Sequence, residues 1–203
     1  ITEAGLPGES EQTTHISIID DAGNAVSVTT TLNDNFGCKT VVNGAGFLLN
    51  NEMDDFSIKE GFPNLYGVTG SAANAIAPGK RMLSSMTPTI VLRQNKPVMV
   101  VGTPGGSTIP TSVFQSIVNA LDFGLDASSI VNLPKFHHQW LPDLVDIEQD
   151  FPLTAISALK SMGYITKERT AIGRTELIMI RYKGRKKITA IADKRGDDSA
   201  GAF

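Results

Sequence analysis

The sequence predicts an α+β fold whose sheets are mainly antiparallel. Three observations carry this. Runs that read as strands outnumber runs with helical periodicity; the strand runs follow one another as hairpins; and two amphipathic helices, near 110–123 and 153–162, fall where each can cover a sheet face. The chain has 203 residues, enough to bury a core as one large domain or two small ones. At 41% hydrophobic and 19% charged residues its composition is that of a globular chain rather than a disordered one.

Residues 1–12, rich in Gly, Pro, Ser and Glu, read as a flexible tail ahead of a domain spanning 13–203. His15–Asp20 is a strand, Asp21-Ala22-Gly23 a turn, and Ala25–Thr31 a second strand rich in β-branched residues. A three-residue turn with Gly23 in the left-handed region sets the register, with His15 opposite Thr29 and Thr13 opposite Thr31. Alternation then puts Thr13, His15, Thr29, Thr31 and Asn33 on one face and Ile16, Ile18, Val26 and Val28 on the other, which is expected to be the core side. Phe47-Leu48-Leu49 reads as a short buried strand. Asn50–Lys80 is a loop region too long for a mere connection. Thr89–Arg93 and Pro97–Val101 form a hairpin. Gly102-Thr103-Pro104-Gly105-Gly106-Ser107 leads into the first amphipathic helix, about Pro110–Phe123, which Gly124 ends. A short helix over Ala127–Asn132 and strands over Lys135–Trp140 and Leu144–Glu148 follow. The helix Leu153–Met162 stops at Gly163, and strands near 164–168, 176–182 and 187–192 close the chain.

The net charge of −3 gives no case for nucleic acid. The basic run Arg181–Lys187 reads as a solvated turn between two strands. The single cysteine, Cys38, excludes an intramolecular disulfide and a cysteine-rich metal site. No apolar run approaches the ~18 residues of a membrane span, and the first residues lack the basic and apolar regions of a signal peptide. His137 and His138, adjacent in a strand, point to opposite faces and are expected to make hydrogen bonds rather than hold a metal. No metal and no cofactor is expected.

Four segments carry possible chemistry, and each has a plain structural alternative. The Thr13 face of the first hairpin gathers hydroxyls, an imidazole and an amide, or is a solvated polar face. Gly105-Gly106 before a helix is a backbone nest able to hold an oxyanion, or a strand-to-helix turn. Asn50-Asn51-Glu52-Met53-Asp54-Asp55 concentrates carboxylates able to hold an ammonium group, or is an acidic turn. Ser84-Ser85, between apolar residues, can hold a carboxylate, or is a buried turn.

Taken together these segments resemble the small subunit of gamma-glutamyltranspeptidases, a branch of the N-terminal-nucleophile hydrolases. The resemblance runs from Thr13 nearly to the C-terminus through six motifs in order: Thr13-Thr14-His15; Thr29-Thr30-Thr31-Leu32-Asn33; Leu49-Asn50-Asn51-Glu52-Met53-Asp54-Asp55-Phe56; Leu83-Ser84-Ser85-Met86; Pro104-Gly105-Gly106-Ser107; and Phe136-His137-His138-Gln139-Trp140-Leu141-Pro142. It implies the small-subunit part of a four-layer αββα sandwich. It implies a precursor that cleaves itself between Gln12 and Thr13, freeing the Thr13 amine as base for its own hydroxyl, the nucleophile. Thr31 would orient Thr13, and Gly105 and Gly106 would form the oxyanion hole. Asn33, Glu52 and Asp55 would hold the α-amino group of a γ-glutamyl donor such as glutathione, Ser84 and Ser85 its α-carboxylate, and Tyr66 would match a lid tyrosine. Water or an amino-acid or peptide amine would accept the acyl group. The partner would be a large subunit from the same precursor, and the location periplasmic or extracellular.

Twelve residues precede Thr13 here, and with Gln12 attached Thr13 has no free amine. The 203-residue chain alone is therefore expected to be inactive. Two other readings stand beside this one. The first is a related N-terminal-nucleophile enzyme, a capsule polyglutamate depolymerase or a β-lactam acylase. The second is a non-catalytic module that binds amino acids or pairs with a partner chain.

Overall fold

Asp21-Ala22-Gly23 turns the chain as its sequence requires. In this computed structural model, which describes residues 13–203, Gly23 has φ 91°. The Asp20 carboxylate accepts from both the backbone N–H and the side-chain amide of Asn24, each at 2.7 Å. The tail reading for residues 1–12, and Gln12 with it, lie outside the described residues. In chain order the elements are β1 (Thr14–Ile19), β2 (Ala25–Thr30), β3 (Thr89–Arg93), β4 (Lys96–Gly102), α1 (Ile109–Leu121), α2 (Ala127–Asn132), β5 (Phe136–His137), β6 (Val145–Glu148), α3 (Leu153–Ser161), β7 (Thr166–Arg169), β8 (Glu176–Arg181) and β9 (Lys187–Ile191).

The strands form a two-stranded sheet β1-β2, a four-stranded sheet β3-β4-β8-β9 and a three-stranded sheet β5-β6-β7. All pairs are antiparallel except β6 with β7. The fold is α+β. Helices α1 and α2 pack on one face of the four-stranded sheet, around Met99, Val101, Val113, Ile130, Val131 and Leu177. The β1-β2 hairpin lies over the other face, where Ile19 and Ala25 meet Val100, Ile178 and Ile180. Asp126 caps α2 by accepting from Ser128 N and Ser129 N at 3.0 and 3.1 Å. No helix among the described residues is long and apolar enough to cross a membrane.

The hairpin register is the one its turn predicts, with His15 opposite Thr29. Its faces are reversed. Ile16, Ile18, Val26 and Val28, expected in the core, are 46, 52, 46 and 44% exposed, while Thr13 and His15 on the polar face are 3 and 2% exposed. The reason is hydrogen bonding: Ser27 Oγ donates to Val101 O at 3.1 Å and Ser17 Oγ to Glu176 O at 3.4 Å, so polar side chains are satisfied where they pack on the sheet. Phe47-Leu48-Leu49 also departs from expectation. It forms only an isolated bridge from Leu48 to Val41, with Phe47 and Leu49 exposed. The strand expected over 135–140 shrinks to two residues, and β7 begins at Thr166.

A buried ionic cluster ties the sheets together. Lys135 Nζ lies 3.2 Å from Asp193 Oδ2, and Arg195 reaches Asp193 Oδ1 at 3.0 Å and Glu148 Oε1 at 2.6 Å. Backbone N–H groups complete it: Thr175 N donates to Asp193, Lys135 N and Ile172 N to Glu148. These cations hold Asp193 below its ordinary pKa against burial, which acts the other way. Next to Thr175, Arg174 N donates to Thr103 Oγ1 at 2.8 Å, which fixes the chain entering the Gly105-Gly106 turn.

Candidate active site

Thr13 sits just ahead of β1, and the hairpin register brings it against Thr31 at the open end of the pair. Their hydroxyl oxygens are 2.9 Å apart. Thr31 Oγ1 also accepts the Asn33 N–H at 2.9 Å, so one hydroxyl serves both Thr13 and the bend that follows. Asn33 has φ 75° and is 3% exposed. Its side-chain amide donates to Asn51 O at 3.4 Å, and Asn51 Oδ1 accepts from Asp34 N at 2.9 Å. The acidic segment Glu52–Asp55, a single turn of 3-10 helix, is thereby laid beside the Thr13 end of the hairpin.

Burial raises the Asp55 pKa to about 6, with the Glu52 and Asp54 charges adding to it; burial also raises Glu52. Asp54 is engaged elsewhere, accepting from Leu65 N at 2.9 Å. Asp55 and Ser85 line one cavity of about 320 Å3, with Asp54, Asn64 and Phe56. Ser84 is exposed and its Oγ accepts from Met86 N at 3.2 Å. A cavity lined by half-buried carboxylates and a serine has the polarity to hold a small zwitterion.

The turn after β4 supplies the second wall. Gly105 and Gly106 have φ 136° and 55°, conformations that suit glycine and leave N–H groups uncovered. The Tyr66 ring lies against Gly106. A Cβ added at Gly106 would stand 2.8 and 2.9 Å from two carbons of the Tyr66 ring. The Tyr66 hydroxyl donates to the Asn33 carbonyl. Tyr66 is carried at the tip of a narrow loop in which Asn64 Oδ1 accepts from Tyr66 N and Val68 N, both at 3.0 Å. So Thr13, Thr31, Asn33, Tyr66 and Gly106 form one connected group, with Asp55 and Ser85 in the neighbouring cavity.

His15 is the imidazole nearest Thr13 in sequence, and its surroundings disqualify it as a base at neutral pH. Its ring nitrogens are taken by Thr29 Oγ1 at 2.8 Å and Ser17 Oγ at 3.0 Å, and burial lowers its pKa to about 4. It lies on Gly102, where an added Cβ would come within 2.0–2.6 Å of the ring. His137 is buried between Thr111 Oγ1 at 2.8 Å and Gln139 Oε1 at 2.9 Å; His138 is turned to Asp143 at 3.2 Å. Among the described residues no three His, Cys, Asp or Glu side chains are grouped to hold a metal. Asn51, read from the sequence only as part of the acidic segment, and Asn64, to which the sequence assigned no role, organise this site; for Asn64 the signal was its place in the turn sequence Pro63-Asn64-Leu65-Tyr66-Gly67.

Comparison with known proteins gives concordant results. A family model described as Gamma-glutamyltranspeptidase matches residues 3–203. The chain is 50% identical over 174 residues to the glutathione hydrolase proenzyme of Escherichia coli, covering 86% of this chain and 30% of that protein. It is 53% identical over 199 residues to the glutathione hydrolase proenzyme of Pseudomonas aeruginosa, covering 96% of this chain and 35% of that protein. The chain thus spans only 30–35% of the length of these relatives. A crystal structure of a Helicobacter pylori gamma-glutamyltranspeptidase variant superposes with a TM-score of 0.86 at 49% identity, over 90% of this chain and 100% of that chain.

Proposed function

The chain belongs to the gamma-glutamyltranspeptidase family, and from that premise we propose that the whole protein transfers or hydrolyses γ-glutamyl groups, with Thr13 as its nucleophile. The observation that carries this reading is the contact between the hydroxyls of buried Thr13 and half-buried Thr31, 2.9 Å apart. Asn33 and Tyr66 link it to a glycine turn in which Gly106 adopts φ 55°.

The reaction is an acyl transfer. Cleavage of the Gln12–Thr13 bond frees the Thr13 amine, and the word proenzyme in both relatives' names supports such a step. The amine takes the hydroxyl proton as Thr13 Oγ1 attacks the γ-carbonyl carbon; an α-amine titrating near ~7.7–8.0 suits that task. Gly105 and Gly106 N–H groups receive the developing oxyanion. The intermediate collapses with the amine leaving group taking the proton, which leaves a γ-glutamyl ester on Thr13. Water or an amino-acid or peptide amine then attacks the ester and restores the hydroxyl. Asn33, Glu52 and Asp55 hold the donor's α-ammonium group, and Ser84 and Ser85 its α-carboxylate. Tyr66 covers the acyl site. Glutathione is the donor class that this head-group recognition fits. No cofactor enters any step. The partner is a large subunit from the same precursor, and the location is periplasmic or extracellular.

The test is intact-mass and N-terminal analysis of the full-length precursor beside Thr13→Ala, followed by turnover of a γ-glutamyl anilide. Cleavage at Gln12–Thr13 and turnover are expected in the parent, with neither in the variant. A well-folded parent that stays whole overturns the reading.

A further inference from the structure

We infer that Gln139 is a positioning residue that seats the Tyr66 loop over Gly106. The inference rests on the reading of the Thr13 site given above and adds a residue to it.

The Gln139 side-chain amide donates to Tyr66 O at 3.3 Å and to Leu141 O at 3.2 Å. Both partners are carbonyls, so the NH2 end of the amide must face them and Oε1 must face the other way. Oε1 meets His137 Nε2 at 2.9 Å. That nitrogen therefore carries the hydrogen, and burial, which lowers the His137 pKa, leaves Nδ1 as the acceptor. Nδ1 faces Thr111 Oγ1 at 2.8 Å, on α1, a hydroxyl whose one hydrogen is shared between this nitrogen and Thr108 O at 2.9 Å. Gln115, also on α1, clamps the same strand from the side, accepting from Phe136 N at 3.1 Å and donating to Phe136 O at 2.8 Å.

The contacts close a ring. Gly106 leads into α1; α1 holds His137 through Thr111; His137 orients Gln139; Gln139 holds the Tyr66 carbonyl; and the Tyr66 ring lies on Gly106. The Tyr66 hydroxyl is anchored at the opposite end, on Asn33 O. Tyr66 is thus held at its backbone by the α1 side of the molecule and at its hydroxyl by the nucleophile side. Gln139 fixes how the ring lies across the turn that receives the oxyanion, without touching substrate.

Gln139→Glu is the discriminating change. It keeps the shape and the acceptor for His137 but replaces the donor with a carboxylate facing two carbonyls. In the whole protein it is expected to raise donor KM roughly tenfold, a loss of about 1.4 kcal/mol in binding, with kcat within about twofold and a melting temperature lowered by no more than a few degrees. Limited proteolysis within residues 60–70 is expected to quicken. In a Tyr66→Ala background the KM effect of Gln139→Glu is expected to vanish, since contacts that act through one another are not additive. An unchanged KM and unchanged proteolysis overturn the inference, as does an equal KM effect with and without Tyr66. If Gln139→Glu does not fold, Gln139→Met, which removes the donor and the His137 acceptor together without adding charge, decides by the same readouts. If the unsubstituted protein has no γ-glutamyl turnover, the proposed function fails, while the proteolysis arm still decides whether Gln139 seats the loop.

Discussion

The hydroxyl oxygens of Thr13 and Thr31 lie 2.9 Å apart, and Thr31 Oγ1 simultaneously accepts the Asn33 N–H at 2.9 Å. Thr31→Val removes both interactions while keeping the branched shape. Leaving a buried donor without its partner costs about 1–3 kcal/mol. Precursor cleavage and anilide turnover in the whole protein should therefore fall roughly 10- to 100-fold. Thr31→Ser, which retains the hydroxyl, should recover most of both rates. Timed gels of the precursor and initial rates of turnover check this; equal losses in the two variants would show that the hydroxyl is not what matters.

Gly106→Ala should displace Tyr66, because its Cβ would stand 2.8 Å from the ring and its φ is +55°. Combining it with Tyr66→Ala relieves the collision and leaves the backbone strain, about 1–2 kcal/mol for a left-handed residue. The double variant should then turn over faster than Gly106→Ala paired with the native tyrosine. Steady-state rates of the three variants decide it.

Asp55 predicts opposite effects on binding and on stability. Its pKa is raised to about 6, so it loses its charge as pH falls through about 6, and donor KM should climb there. A bound ammonium group draws the pKa down, so kcat at saturation should hold to lower pH than kcat/KM. For stability, a carboxyl group with a raised folded pKa contributes most below the unfolded value of 3.8. That contribution is lost as pH rises through about 6. Asp55→Asn should therefore raise the melting temperature at pH 7 more than at pH 4, while weakening donor binding at pH 7. Melting curves and KM at the two pH values test both signs.

Asp193→Asn should cost about 3–5 kcal/mol, the usual penalty for removing one partner from a buried ion pair. It leaves Lys135 Nζ and Arg195 without the carboxylate now 3.2 and 3.0 Å away. Urea denaturation should show the loss almost independent of salt, since buried pairs are poorly screened. Because Thr175 N also binds Asp193 and Arg174 N holds Thr103, turnover should weaken along with stability.

Local chemistry made part of this molecule legible in advance. Asp21-Ala22-Gly23 specifies a turn, the turn specifies a register, and the register places Thr13 beside Thr31. The limits of α2 and the hairpin closed by Gly184, at φ 75°, follow from the same kind of signal. The burial of the hairpin was not legible. Alternation identifies two faces but cannot say which is covered, and here Ser17 and Ser27 find backbone carbonyls on the four-stranded sheet. Nor was the ionic cluster, since Lys135 and Asp193 are 58 positions apart and nothing nearby in sequence pairs them. Tyr66 over Gly106 is a contact of the same long-range kind. The motif with Gln139 stood out, but only the two carbonyls that its amide meets give it a task.

The stacking of His15 on Gly102 makes those two positions a single unit of variation. No side chain fits at 102 while the imidazole is there, since a Cβ would stand only 2.0–2.6 Å from its ring atoms, and a smaller residue at 15 would leave a void beneath the first hairpin. Across relatives the two sites should change together or not at all. A mutational library that randomises either one alone should return almost only the parent residue, whereas one that randomises both should admit paired exchanges of bulk between them.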